Sequence, residues 1–213
     1  MTMADTNGDL ILRYRVRERI THWAIAIAFI FLFLSGLAMF HPVFFWTSVL
    51  FGGGQFMRFI HPIAGVALVL LFYPYAAQEW HDNRWLAVDT EWVRQMWSYM
   101  RKEHPALDNQ KYNGGQKLMF WSMVPIIAVL FLTGIVMWQP WFAPAFSPAF
   151  RRVTGLLHAT AAFIMFVGIG IHWYAAYWTR GSVRAMVRGT VTQAWARFHH
   201  PAWYREITAK ERS

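Results

Sequence analysis

The sequence predicts an all-α integral membrane protein, a bundle of four transmembrane helices with both termini in the cytoplasm. Three observations carry this. First, 56% of the 213 residues are hydrophobic, and four runs contain no Asp, Glu, Lys or Arg: 20–57, 59–78, 118–150 and 153–179. A helix needs about 20 apolar residues to cross about 30 Å of hydrocarbon, so runs this long do not belong to a soluble core. Second, 17 of the 20 Lys and Arg lie before the first run, between the second and third, or after the fourth; Arg58, Arg151 and Arg152 are the others. Positive loops stay inside, which places both ends of the chain in the cytoplasm. Third, Trp23, Trp46, Trp80, Trp121, Trp138, Trp141, Trp173 and Trp178 cluster near the run ends, where amphipathic rings favour the headgroup level.

The elements follow in order. Span 20–40 comes after Arg13, Arg15, Arg17 and Arg19 and stops at His41-Pro42; Gly52-Gly53-Gly54 separates it from span 56–78. Pro and Gly are the strongest stop signals for a helix. A polar, basic loop, 79–116, leads to span 117–138, which ends before Gln139-Pro140, with Pro144 and Pro148 beyond. Span 151–178 completes the bundle, and 179–213 forms a basic tail. The whole chain, 1–213, reads as one membrane domain. The first run is long enough to span and has no small-residue cleavage site after it, so no secretory signal is expected. The net charge of +9 is accounted for by loop asymmetry, and no nucleic-acid partner is expected.

Cysteine is absent. That excludes thiolate-held clusters, disulfides and a covalent C-x-x-C-H haem on this chain. Any metal must be held by His, Met or oxygen.

Nine histidines are present. His81, His104, His199 and His200 fall in polar segments and read as solvated. His41 lies 19 residues after His22, about 100° off its face, and reads as an interfacial end-cap. Four remain. His158 and His172 share the last span, fourteen residues apart. On a helix that is about 21 Å along the axis and within roughly 40° of one face. The charge map places His158 near the outer end and His172 near the inner end. His61 matches the outer depth and His22 the inner, giving two pairs: His22 with His172, and His61 with His158.

Ionisable groups at membrane depth are costly and tend to be functional, although histidines can also serve as hydrogen-bonding glue between helices. Zinc and iron–carboxylate sites gather several ligands in one shell, often with Asp or Glu, and no carboxylate lies inside the spans. Two imidazoles per site suit a planar cofactor that brings four nitrogens of its own. Two non-covalent haems b fit the four histidines. Small residues near these positions (Gly155, Ala161, Ala162, Gly168, Gly36, Gly65) leave room for a flat group or for plain helix packing. Met39, Met57 and Met165 are possible axial ligands or apolar filler.

Several segments carry a resemblance: Glu18-Arg19-Ile20-Thr21-His22-Trp23, His61-Pro62 with Gly65, Tyr112-Asn113-Gly114-Gly115-Gln116-Lys117-Leu118-Met119-Phe120-Trp121, Gly155-Leu156-Leu157-His158 and His172-Trp173-Tyr174. From about residue 13 to 181 the chain resembles the cytochrome b (gamma) subunit of membrane-bound respiratory formate dehydrogenase. The histidines and their order are shared with a wider group, including the cytochrome b subunits of nickel–iron hydrogenases and thiosulfate reductases. The Asn-x-Gly-Gln-Lys element is the more specific mark of the formate dehydrogenase branch. The resemblance implies a four-helix dihaem protein of the bacterial inner membrane, with His22 and His172 on the inner haem and His61 and His158 on the outer. It implies a quinone (menaquinone or ubiquinone) reduced at the cytoplasmic side, beside the inner haem, by a site using Asn113, Gly115 and Gln116. It implies an iron–sulfur beta subunit as electron donor and, through it, a molybdenum- or tungsten-containing alpha subunit that oxidises formate, with a higher oligomer of the complex possible.

Read without the resemblance, Asn113 is an N-cap for the third span, and Gly114 and Gly115 permit close backbone approach. The two roles are compatible. Loop 80–110 carries no recognised motif. Two alternatives stand beside this reading: a cytochrome b subunit of a nickel–iron hydrogenase or other periplasmic dehydrogenase, which shares the chemistry, and a haem-free four-helix transporter or scaffold, which shares the spans and uses the histidines as interhelical hydrogen-bonding groups.

Overall fold

The computed structural model describes residues 10–101 and 107–210. Lys102, His104 and Arg212, which entered the charge and histidine readings, lie outside the described residues. Strand β1 (Leu10–Leu12) is followed by helices α1 (Val16–Phe40), α2 (Gly54–Glu79), α3 (Ala87–Arg94), α4 (Met96–Met100), α5 (Gly114–Met137) and α6 (Pro148–Trp178). Then come α7 (Ser182–Arg188), β2 (Thr190–Thr192), α8 (Gln193–His199) and α9 (Pro201–Lys210). Short 3-10 turns occupy Pro42–Phe51 and Ala143–Ala145.

The four expected spans coincide with α1, α2, α5 and α6, whose ends differ from the expected bounds by at most four residues. All four are long and apolar enough to cross a membrane. The stop signals act where expected. α1 ends at Phe40, and His41 caps the turn that follows, its Nδ1 accepting from the Val43 N–H at 3.2 Å. The chain departs from all-α in one place: β1 and β2 pair antiparallel, Leu10 opposite Thr192 and Leu12 opposite Thr190. Three residues are too short a run for strand alternation to register in a sequence.

Two compact units emerge. One, the helical unit, comprises 20–77 and 122–171, the bulk of the four long helices. Its outward faces are apolar, with Ile27, Ile30, Leu70, Leu132, Leu156 and Phe163 all exposed. That is the reverse of a soluble bundle and the pattern lipid requires. Side chains link the helices in a ring. Phe33 on α1 stacks on Phe166 of α6 at 4.2 Å, and Tyr73 on α2 donates to the Val124 carbonyl on α5 at 2.9 Å. Met57 and Met165 are fully buried filler. Among the described residues these four helices share few close backbone contacts, and side chains bridge them.

The other unit comprises 10–19, 78–121 and 172–210 in its described part. Its core is Tyr14, Tyr112, Ala185, Val191, Ala196 and Trp203. Ions are built into it. Lys111 Nζ lies 2.8 Å from Asp82, 3.2 Å from Glu79 and 3.5 Å from Glu18. Burial disfavours the Lys111 charge, but the carboxylates of Asp82, Glu79 and Glu18 outweigh it and hold its ammonium above the usual lysine range. The Tyr112 hydroxyl donates to Glu79 at 2.8 Å. Lys117 and Asp89 pair at 2.8 Å with each side chain 1% exposed, and Lys117 also donates to the Arg84 carbonyl at 2.9 Å.

His200 corrects the solvated-loop expectation: it is 2% exposed. Its Nδ1 donates to the Gln110 carbonyl at 2.6 Å, and its Nε2 lies 3.1 Å from the Arg13 guanidinium. Arg13 is in turn surrounded by the rings of Tyr14, Trp195 and Trp203 at 4.9–5.3 Å, a cation–π arrangement. Burial, and then the adjacent Arg13 charge, push the His200 imidazole well below the ordinary histidine pKa.

Candidate functional site

Within the helical unit, α2 and α6 bring two of the predicted histidines face to face. The imidazole centroids of His61 and His158 lie 6.5 Å apart with their planes inclined at 59°. Each ring is held from behind by a different helix. On α1, Ser35 Oγ lies 2.7 Å from His61 Nδ1, and a Cβ at Gly36 would stand 3.5 Å from His61 Cε1. On α5, Thr133 Oγ1 lies 2.8 Å from His158 Nδ1, and a Cβ at Gly134 would stand 3.5 Å from His158 Cε1. A hydroxyl residue followed by glycine thus braces each histidine. Ser35, Thr133 and Gly134 were missed by sequence reasoning. The available signal was the pair of dipeptides Ser35-Gly36 and Thr133-Gly134 inside two otherwise apolar runs.

The residues present fit a planar metal macrocycle. Two imidazoles on opposite sides of one metal, each with a bond of about 2 Å, put their ring centroids roughly 6 Å apart, and the observed spacing agrees. Among the described residues no three His, Asp or Glu side chains converge on one point; a group held by His61 and His158 would bring its remaining ligands with it. An open apolar groove of about 510 Å³ runs between α1 and α2, lined by Ala24, Ile27, Ala28, Phe31, Ile60 and Ala64 and not by either histidine. A Cβ at Gly65 would meet nothing within 4 Å.

The other predicted residues sit as follows. His22 lies in the second turn of α1, within the helical unit, its ring edge-on to Trp23 at 5.6 Å. His172 lies near the end of α6, within the other unit. Asn113 and Gln116 form a reciprocal cap at the start of α5: Gln116 N–H donates to Asn113 Oδ1, and Asn113 N–H donates to Gln116 Oε1, both at 3.0 Å. This is a capping box, which satisfies two backbone donors at once. It commits both side-chain oxygens, so the amide nitrogens are the groups left to donate to a ligand carbonyl. The space beside Gly115 is filled from within the protein, since a Cβ there would stand 2.6 Å from the Trp92 indole; one at Gly114 would stand 2.7 Å from the Asp89 carbonyl. Both glycines let α5 start against α3.

Four long apolar helices carrying histidines at membrane depth define a multi-pass membrane protein of the haem b class. Residues 13–189 match the family described as prokaryotic cytochrome b561, and the chain belongs to that family. It is 39% identical to the formate dehydrogenase cytochrome b556 subunit of Haemophilus influenzae over 94% of this chain and 85% of that one. It is 40% identical to the formate dehydrogenase cytochrome b556(fdo) subunit of Escherichia coli K12, covering 93% of this chain and 94% of that one. It is 37% identical to the nitrate-inducible formate dehydrogenase cytochrome b556(Fdn) subunit of the same organism, over 97% and 95%.

Proposed function

We propose that this chain is the dihaem cytochrome b anchor of a formate dehydrogenase complex in the bacterial inner membrane, with both termini in the cytoplasm. The apposition of His61 and His158 at 6.5 Å carries the reading. Similarity to three formate dehydrogenase subunits over more than nine-tenths of the chain supports the choice of complex. His61 and His158 hold the outer haem, and His22 and His172 the inner. Bound there, the two haems supply one-electron positions between an iron–sulfur partner outside and a quinone inside. The chain's own residues fix ligand position and exclude water around the outer pair. At the inner side, Asn113 and Gln116 direct amide donors toward a quinone, menaquinone or ubiquinone, while Gly115 serves the packing of α5 against Trp92. Formate oxidation belongs to a partner subunit holding molybdenum or tungsten and reached through the iron–sulfur subunit. The whole chain, loop and tail included, acts as one membrane domain.

The purified complex is expected to show a b-type α band on dithionite reduction, two haems per chain, and haem reduction by formate but not by hydrogen. His61→Ala and His158→Ala should remove the same single haem, and His22→Ala and His172→Ala the other. Retention of both haems in His61→Ala would sink the ligand assignment. Reduction by hydrogen alone would move the chain to the hydrogenase branch.

A further inference from the structure

We infer that Ser35 and Thr133 are positioning residues that set the tautomer and tilt of His61 and His158, and through them the redox balance of the outer site. The inference rests on the reading of those two histidines as axial ligands. A hydroxyl has one proton to give and lone pairs to accept with. Ser35 Oγ lies 2.7 Å from the Phe31 carbonyl and 3.2 Å from that of Leu32, one turn back in α1. Thr133 is placed in the same way, bonded to the Val129 carbonyl and 3.2 Å from that of Leu130. This is the usual back-bond of Ser and Thr inside a helix. With its proton given to its own helix, each hydroxyl meets the histidine as an acceptor. The histidine must then donate from Nδ1, and its lone pair is left on Nε2. Both rings are therefore held in the tautomer that a metal requires before any metal arrives.

The arrangement is duplicated on two helices that share no local sequence beyond hydroxyl-then-glycine. In each case a Cβ on the following glycine would stand 3.5 Å from the ring Cε1, an ordinary contact distance, so each ring edge lies close to the neighbouring helix. The hydrogen bond from Nδ1 restrains ring rotation and accounts for a defined 59° between the planes. Accepting the Nδ1 proton also makes the imidazole more basic, which favours ferric over ferrous iron. A neutral hydroxyl does this more weakly than a carboxylate, and it places no charge in hydrocarbon, where an unpaired ion is costly.

The test uses the intact complex carrying Ser35→Ala, Thr133→Val or both. Spectroelectrochemical titration should show the outer haem retained but shifted toward the ferrous form at a fixed ambient potential. The expected shift is about tenfold in the reduction equilibrium, the lower end of the losses seen when an outer-shell partner is removed. The ferric low-spin resonance of that haem should move as its ring tilt relaxes, and the inner haem should be unchanged. Ser35→Thr and Thr133→Ser keep the acceptor and should restore the parent titration. Curves and resonances superimposable on the parent would overturn the inference, as would equal shifts in both haems, which report general loosening. The ligand reading fails separately: it falls if His61→Ala keeps both haems, whatever the hydroxyl variants do.

Discussion

In the helical unit the buried polar side chains are Ser35, Thr47, Ser48, Thr133 and Thr154, all neutral hydroxyls. In the other unit they are Arg13, Glu79, Asn83, Asp89, Asn109, Lys117 and His200. The first set can give its protons back to its own helices, as Thr154 does to the Phe150 carbonyl at 2.8 Å, and needs nothing from water. The second set is ionic or amide-rich and is held by partners from distant parts of the sequence. Hydrocarbon leaves no water to satisfy a stray polar group, whereas a protein interior beside water tolerates ions when each has a partner. The contrast therefore maps solvent onto sequence: His61 and His158 sit among neutral hydroxyls, and the buried ionic groups gather in the other unit.

The strongest way to break this comparison is to orphan an ion. Lys117→Met leaves Asp89 buried and unpaired, and the expected loss is about 3–5 kcal/mol of stability, read as a lowered unfolding temperature of the detergent-solubilised complex. Adding Asp89→Asn should recover a large part. If the single variant is as stable as the parent, the ions of this unit are not held as pairs.

A smaller effect comes from acid. His200 is held neutral, with a native pKa below its unfolded value of about 6.5. Above that pH both states are neutral and its contribution is complete. As pH falls below it, the unfolded chain takes up a proton first, and stability drops by up to about 1.4 kcal/mol per pH unit until the native pKa is reached. His200→Gln should flatten that part of the profile. A slope that persists in the variant would place the titrating group elsewhere.

The smallest expected stability effect separates cap from ligand at the start of α5. Asn113→Ser keeps an oxygen for the Gln116 N–H, and the change should stay within about 0.5 kcal/mol, whereas Asn113→Ala costs about 1 kcal/mol. Both lose the amide nitrogen, so quinone reduction should fall about tenfold in each, the equivalent of one hydrogen bond. Partner-driven haem reduction should be untouched. Full quinone reduction in Asn113→Ser would restrict Asn113 to capping.

What was legible followed from long-range physics acting on short spacings. Run length against membrane thickness located α1, α2, α5 and α6, and charge asymmetry with helical spacing singled out His61 and His158, which then met. What was illegible depended on packing partners far away in the chain. Ser35 and Thr133 looked like ordinary hydroxyls because their histidines lie on other helices, 26 and 25 residues away. His200 read as solvated because its burial is made by Arg13, 187 residues earlier. Gly115 read as room for a ligand until Trp92 was found occupying that room.

The ribbon of β1 and β2 ties residues 10–12 to 190–192, and Arg13 and Tyr14 N–H both donate to the Gly189 carbonyl. Strand β1 thus has no strand partner until residues 190–192 have been made. During synthesis at about 5–20 residues per second, this strand waits on the order of ten seconds or more. It is an apolar edge, Leu10-Ile11-Leu12, which unpaired is a site for aggregation. Pairing with β2 is therefore a late event in synthesis, and it closes the edge that β1 alone leaves open.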